Sequence, residues 1–180
     1  MNKLLFLIVL LSLSIFLSSC NNSKKNADDF IVKNGLIYLK GSKAPFTGRE
    51  RAIVKGLKIE YDVLNGFKTG EFKISYGYGN PQMIGHLIDN KNEGLWKYFY
   101  PNSKLDCSGI FKNDLPDGKW TWYHDDGSIM EIGNYISGKR EGKWLNYDKD
   151  GNSRPLGFAW DVGAYNFIGG PKPPKNFRFD

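Results

Sequence analysis

Two cysteines and two histidines are all that this 180-residue chain offers of the side chains most used for disulfides, metal sites and nucleophilic chemistry. His86 and His124 are well separated, and neither has a cysteine or carboxylate near it at metal-ligand spacing; both read as residues on the surface of a strand. The run Asp148-Lys149-Asp150-Gly151-Asn152 resembles the start of a calcium loop, but the later ligands and the closing glutamate are missing. A hairpin turn accounts for the same Asp, Gly and Asn without a metal. Also absent are a Gly-x-Ser-x-Gly elbow, a phosphate loop and a paired-carboxylate motif. The chain is therefore expected to be non-enzymatic, with no catalytic residues, metal, cofactor or small-molecule substrate. Although 25 Lys and Arg face 19 Asp and Glu, they form no block that would track a phosphate backbone, so nucleic acid is not an expected partner. No window of useful length shows a helical hydrophobic period.

What the chain has instead is glycine and aromatic residues in a fixed rhythm. Gly70-Glu-Phe, Gly94-Leu-Trp, Gly118-Lys-Trp and Gly142-Lys-Trp open the same phrase, each step being 24 residues. A second glycine follows each of them fifteen positions on, at Gly85, Gly109, Gly133 and Gly157. Such a period defines a repeat architecture before any single element is assigned. Within one unit, Lys119-Trp120-Thr121-Trp122-Tyr123-His124 is dense in strand formers, Asp125-Asp126-Gly127-Ser128 supplies a turn, and Ile129 to Ile136 resumes an apolar run. A second turn, Ser137-Gly138-Lys139-Arg140, leads into the next unit. The expected fold is all-β: tandem 24-residue hairpins forming an elongated single-layer antiparallel sheet of about ten strands, ~45 Å long at a strand spacing of ~4.8 Å.

Stacking the units aligns their side chains in columns. Phe72, Trp96, Trp120 and Trp144 form one, and Ile74, Tyr98, Trp122 and Asn146 form another on the same face, since alternate strand residues share a side. Glycines in the returning strand, at 85, 109 and 133, fit either an indole lying flat over bare backbone or a bulge. The columns Trp96, Tyr98, Trp120, Trp122 and Trp144 make a candidate binding face, because each large aromatic offers ~150–250 Å² and an open run of them exceeds what a soluble monomer normally exposes. Three covers are open: the aromatic tail (Phe158, Trp160, Tyr165, Phe167, Phe177, Phe179), a second copy, or a partner protein. Aromatic ladders also hold hairpins to one another, the reading preferred over a ligand face.

The N-terminus carries an address. Lys3 precedes the apolar run Leu4 to Leu17, which is shorter than the ~20 residues a spanning helix needs, and Leu17-Ser18-Ser19-Cys20 follows. Residues 1–19 read as a secretory signal, and the Leu-x-x-Cys ending resembles a bacterial lipobox, which implies a lipid-modified Cys20 and a membrane-anchored envelope lipoprotein. Residues 20–29 would then be a lipid-anchored tether, 30–157 the repeat domain and 158–180 a Gly/Pro/aromatic tail. Cleavage would remove Lys3 as the only charge, leaving 24 basic against 19 acidic residues, a balance that fits a solvated surface. With Cys20 committed to lipid, Cys107 has no disulfide partner in the chain and reads as a small buried strand residue.

Gly-x-Trp-x-x-Tyr/Phe, a Pro-Asn or Asp-Gly turn, a second Gly and then Asp/Glu-Gly, as in Pro116-Asp117-Gly118-Lys119-Trp120 and Arg140-Glu141-Gly142-Lys143-Trp144, resembles the bacterial variant of the MORN repeat, found in proteins labelled YwqK-type antitoxins. The resemblance spans roughly residues 30 to 157, and the phrase Asn34 to Gly48 is similar to how such domains begin. The end copies depart from the pattern, as capping repeats do: the segment after Gly48 is two residues short and lacks the tryptophan, and Arg154-Pro155-Leu156-Gly157 loses the second strand. The expected role is a lipid-anchored protein-binding or scaffolding module that docks another envelope protein or itself. The resemblance alone implies one alternative, an antitoxin or immunity-like protein; together with the excess of 24 basic over 19 acidic residues it suggests another, a membrane-apposed lipid-binding repeat.

Overall fold

The computed structural model describes residues 29–154. The signal segment 1–19, Cys20 and almost all of the tether, Gly157 and the tail 158–180 lie outside the described residues.

Two residues of the right kind between apolar runs close every tight turn. Asn34-Gly35, Lys55-Gly56, Asn65-Gly66, Asp89-Asn90, Asn113-Asp114 and Ser137-Gly138 all have positive φ at both positions. This is the turn whose twist matches that of the flanking strands, and Asn, Asp and Gly are the residues that tolerate it. A second, longer turn alternates with it. In each case the first residue donates to the carbonyl of the fifth: Tyr76 to Asn80, Tyr100 to Lys104, His124 to Ser128 and Asp148 to Asn152.

These turns join twelve strands: β1 (Phe30–Lys33), β2 (Leu36–Leu39), β3 (Gly48–Val54), β4 (Leu57–Leu64), β5 (Phe67–Ser75), β6 (Pro81–Ile88), β7 (Lys91–Phe99), β8 (Leu105–Lys112), β9 (Leu115–Tyr123), β10 (Ile129–Ile136), β11 (Lys139–Tyr147) and β12 (Ser153–Arg154). Strands β3 to β12 make one ten-stranded antiparallel sheet in which every strand neighbours the next in sequence. Its two edges are β3 and β12, so the sheet is open. The expected ribbon of tandem hairpins is what the chain forms.

β1 and β2 form a separate hairpin at the start. It is tied to the β4–β5 turn by backbone bonds from Ile37 to Gly66, from Phe46 to Ile37 and from Gly66 to Phe46. Phe30 meets Phe46 edge-on at 5.0 Å, and Ile37 and Phe46 are buried. This hairpin serves as an N-terminal cap. The shortness of the first repeat also has a local cause: β3 and β4 are joined by the two-residue Lys55-Gly56 turn, where later units use the longer one.

Candidate interaction faces

The first-position glycines form bulges. Gly70, Gly94, Gly118 and Gly142 have φ of 71°, 70°, 73° and 65°, a left-handed conformation that costs other residues ~1–2 kcal/mol. Residues 118 and 119 have no counterpart between Gly109 and Ile110 on the preceding strand. The same register shift recurs beside Gly70, Gly94 and Gly142. A glycine-led bulge of this kind bends the strand and increases its twist.

The second-position glycines have a different job. A Cβ built on Gly85 would lie 2.1 Å from the Trp96 indole, one on Gly109 2.0 Å from Trp120 and one on Gly133 2.2 Å from Trp144. Each indole therefore lies flat over bare backbone of the strand before it. Of the two readings that sequence left open for these glycines, close approach is the one adopted, and the bulge belongs to the other glycine. In the first unit Tyr61 occupies the place of the second glycine, and it stacks on Phe72 at 6.0 Å with a 21° interplanar angle.

All five aromatics of the candidate face are in the core. Trp96 and Tyr98 are 0 % exposed, and Trp120, Trp122 and Trp144 are at most 7 % exposed. Phe111 stands edge-on to both Trp96 (5.8 Å) and Trp120 (5.1 Å). Tyr135 does the same between Trp120 and Trp144, and Trp122 lies 5.7 Å from Trp144. The contacts thus carry the preferred reading, hairpin-to-hairpin packing, and these side chains do not form an exposed aromatic surface. Trp120 Nε1 donates to the Ile110 carbonyl at 3.1 Å. Trp96 Nε1, Trp144 Nε1 and Tyr98 Oη have no hydrogen-bond partner among the described residues, so dispersion and ring geometry hold this column.

Burial also sets the chemistry of this inner face. Desolvation, and then the charge of Asp106, pushes the Cys107 thiol far above its usual range. Desolvation raises the Tyr98 and Tyr61 phenols in the same way. Cys107 is 1 % exposed, the small buried role expected of it. Cations close both ends of the aromatic column: Lys68 Nζ lies 5.2 Å from the Tyr61 ring centroid and Arg140 Cζ 3.7 Å from that of Trp144. Arg140 also reaches both carboxylate oxygens of buried Glu131, at 3.0 and 2.9 Å.

The long-turn edge is laced from unit to unit. Tyr76 Oη donates to the Phe99 carbonyl at 3.4 Å, Tyr100 Oη donates to Tyr123 at 2.6 Å, and a His124 ring nitrogen lies 3.1 Å from the Tyr147 carbonyl. His124 is consequently a turn residue that ties neighbouring units, a correction to the strand-surface position expected for it. His86 is exposed on its strand between Glu71 and Glu93. Asp148 Oδ1 accepts from the amides of Asp150 and Asn152, which uses as turn chemistry the carboxylate that a calcium loop would need. No group of three or more His, Cys, Asp or Glu suited to a metal ion occurs among the described residues.

The outer face is built differently. Leu64, Ile88, Leu95, Ile110, Leu115 and Ile136 are 46–58 % exposed. They were not singled out by sequence, because single exposed apolar residues are ordinary and only the register shows that they line up. The signal was nevertheless present: 64, 88, 112 and 136 are one 24-residue series, holding Leu, Ile, Lys and Ile.

An open antiparallel sheet of consecutive hairpins, self-packed on one face and solvent-facing on the other, defines a hairpin-repeat module. The family profile described as MORN repeat variant matches residues 92–113 and 116–137, two tandem stretches that run over β7 to β10. No curated protein matches the chain.

Proposed function

We propose that this protein is a non-enzymatic repeat module that docks another protein at the bacterial cell envelope, held there by a lipid on Cys20. One observation carries the reading: tryptophan-over-glycine packing uses up the inner face, while the outer face leaves leucine and isoleucine side chains 46–58 % exposed beside exposed lysines. A protein that only needed to fold would not require exposed Leu and Ile at the repeat period. The Leu-x-x-Cys ending at Cys20 motivates the anchor, since two or more acyl chains give stable membrane attachment where one does not.

Crosslinking in the native envelope, followed by identification of the adducts, tests the docking role. A reproducible protein adduct is the expected result, and a protein that crosslinks to nothing overturns it. Replacing Cys20 by Ala is expected to move the chain out of the membrane fraction. Unchanged membrane recovery of C20A would remove the anchor from the proposal.

A further inference from the structure

The outer face beside the two-residue turns has a regular composition. At the base of each of these hairpins the residue before the turn pairs with the one after it: Leu64 with Phe67, Ile88 with Lys91, Lys112 with Leu115 and Ile136 with Lys139. Each unit after the first therefore presents one apolar side chain beside one lysine. A parallel row follows at the bulges, where Leu95 pairs with Ile110 and the positions equivalent to Leu95 hold Glu71, Lys119 and Lys143.

The charges on this face are unbalanced. Lys91, Lys97, Lys112, Lys119, Lys139 and Lys143 are all exposed, and none has an ion-pair partner among the described residues. Fewer carboxylates share the face with them. Glu93 accepts from the Asn113 amide at 2.9 Å and Asp117 from the Ser137 amide at 3.1 Å, Glu71 lies 3.8 Å from Arg49, and Glu141 is exposed, so these six lysines face four carboxylates. Such a surface attracts a partner that is acidic and apolar at once.

Spacing narrows the partner further. One unit is two strands wide, ~9.6 Å, and each unit places one apolar side chain on the face, on β4, β6, β9 and β10 in turn, at intervals of two, three and one strands. An α-helix rises 1.5 Å per residue and covers ~10.5 Å in seven residues, so a helix lying across the strands brings one heptad position to each unit. From Leu64 on β4 to Ile136 on β10 is six strand intervals, ~29 Å or about twenty helical residues. Resting on the docking role proposed above, we infer that the outer face binds an acidic amphipathic helix of a partner protein, laid across the strands with its apolar residues on Leu64, Ile88, Leu115 and Ile136 and its carboxylates on the flanking lysines.

The test uses the full chain and a synthetic amphipathic peptide of about twenty residues with leucines at heptad spacing and glutamates beside them. Binding is expected, weakening with added salt. It should fall by about tenfold or more in Ile88→Glu/Ile136→Glu and in Lys91→Glu/Lys119→Glu/Lys143→Glu, with the near-ultraviolet circular dichroism of both variants unchanged. A second pair, Lys91→Gln and Lys119→Gln, keeps the charge argument testable if a reversal variant misfolds, and a smaller loss of binding is expected there. Equal binding by a lysine-flanked or scrambled peptide overturns the inference, as does binding to phosphatidylglycerol vesicles with none to the acidic peptide. The envelope crosslinks separate the two proposals: an adduct that persists unchanged in folded outer-face variants sinks the helix site and leaves the docking module standing, whereas the absence of any adduct sinks the docking module itself.

Discussion

One methyl group at Gly109 should be among the most damaging small changes available to this protein. The glycine has no positive φ, so alanine meets no backbone strain there, and the whole effect is steric. Its Cβ would lie 2.0, 2.2 and 2.4 Å from Cδ2, Cε2 and Cγ of Trp120. The indole cannot retreat freely, because Phe111, Trp122 and Tyr135 surround it at 5.1, 5.6 and 6.1 Å and its nitrogen is bonded to Ile110. Overpacking costs ~1–3 kcal/mol, each lost ring pair ~0.5–1.5 kcal/mol and the hydrogen bond ~1 kcal/mol. Against this, alanine lowers unfolded-state entropy by ~0.4–1 kcal/mol. Gly109→Ala should therefore destabilise by about 3 kcal/mol. Gly94→Ala is the control: nothing lies within 4 Å of its Cβ and only the φ of 70° opposes it, for about 1 kcal/mol. Urea unfolding followed by tryptophan fluorescence measures both. Trp120→Leu should cost at least ~1 kcal/mol less in the Gly109→Ala background than in wild type, since the clash has then been removed. A Gly109→Ala protein within ~0.5 kcal/mol of wild type, or strict additivity of the pair, would refute the tryptophan-over-glycine account.

Lys55→Asn should stabilise by about 0.5 kcal/mol, because Lys55 sits at φ 50° in a turn that favours Asn-Gly; a lower urea midpoint would count against it. Arg140→Met should cost about 2–3 kcal/mol by leaving the buried Glu131 carboxylate without its two guanidinium bonds, and Arg140→Met/Glu131→Leu should recover most of that in the same assay. Tyr61 and Tyr98 have phenols raised above their unfolded value of about 10, so the folded state holds protons that the unfolded chain releases. Stability from these groups is complete below pH ~10 and declines above it, and phenolate absorbance should develop together with unfolding; smooth titration of every tyrosine in the folded protein would contradict their burial. Cys107 should ignore a thiol reagent at neutral pH until urea is added, since burial both hides the sulfur and disfavours the thiolate. Rapid labelling of the native protein would show that this part of the inner face opens.

The repeat, its period and the strand content were legible in the residues themselves, because they are local properties. Glycine at 70, 94, 118 and 142, Asp-Gly and Asn-Asp pairs at the turns and dense aromatics between them act over a few bonds, and alternation alone assigns Trp96 and Tyr98 to one side of a strand. The small buried Cys107 followed from its lack of a disulfide partner and from the frequent burial of free cysteine. What those columns face could not be read in this way. Alternation leaves an array of aromatics open to both readings, packed core and open surface, and although the way ladders hold hairpins together favours the core, the outcome depends on where the neighbouring strand sits in register.

Tertiary structure made that choice. The bulge at the first glycine shifts each short-turn hairpin out of simple register, and the shift is what brings an indole flat over the second glycine of the strand before it. The same pairing carries Leu95 beside Ile110 and Ile88 beside Lys91 on the opposite face, turning scattered exposed residues into ordered rows. It also gave His124 to an inter-unit bond at the Tyr147 carbonyl, a contact 23 residues away that no local pattern announces. Sequence by itself determined that this chain is a stack of hairpins, since periodicity and turn chemistry are written residue by residue. Only the tertiary structure decided which face is core and which is open, because that depends on cross-strand register, a property of two strands together and of neither alone.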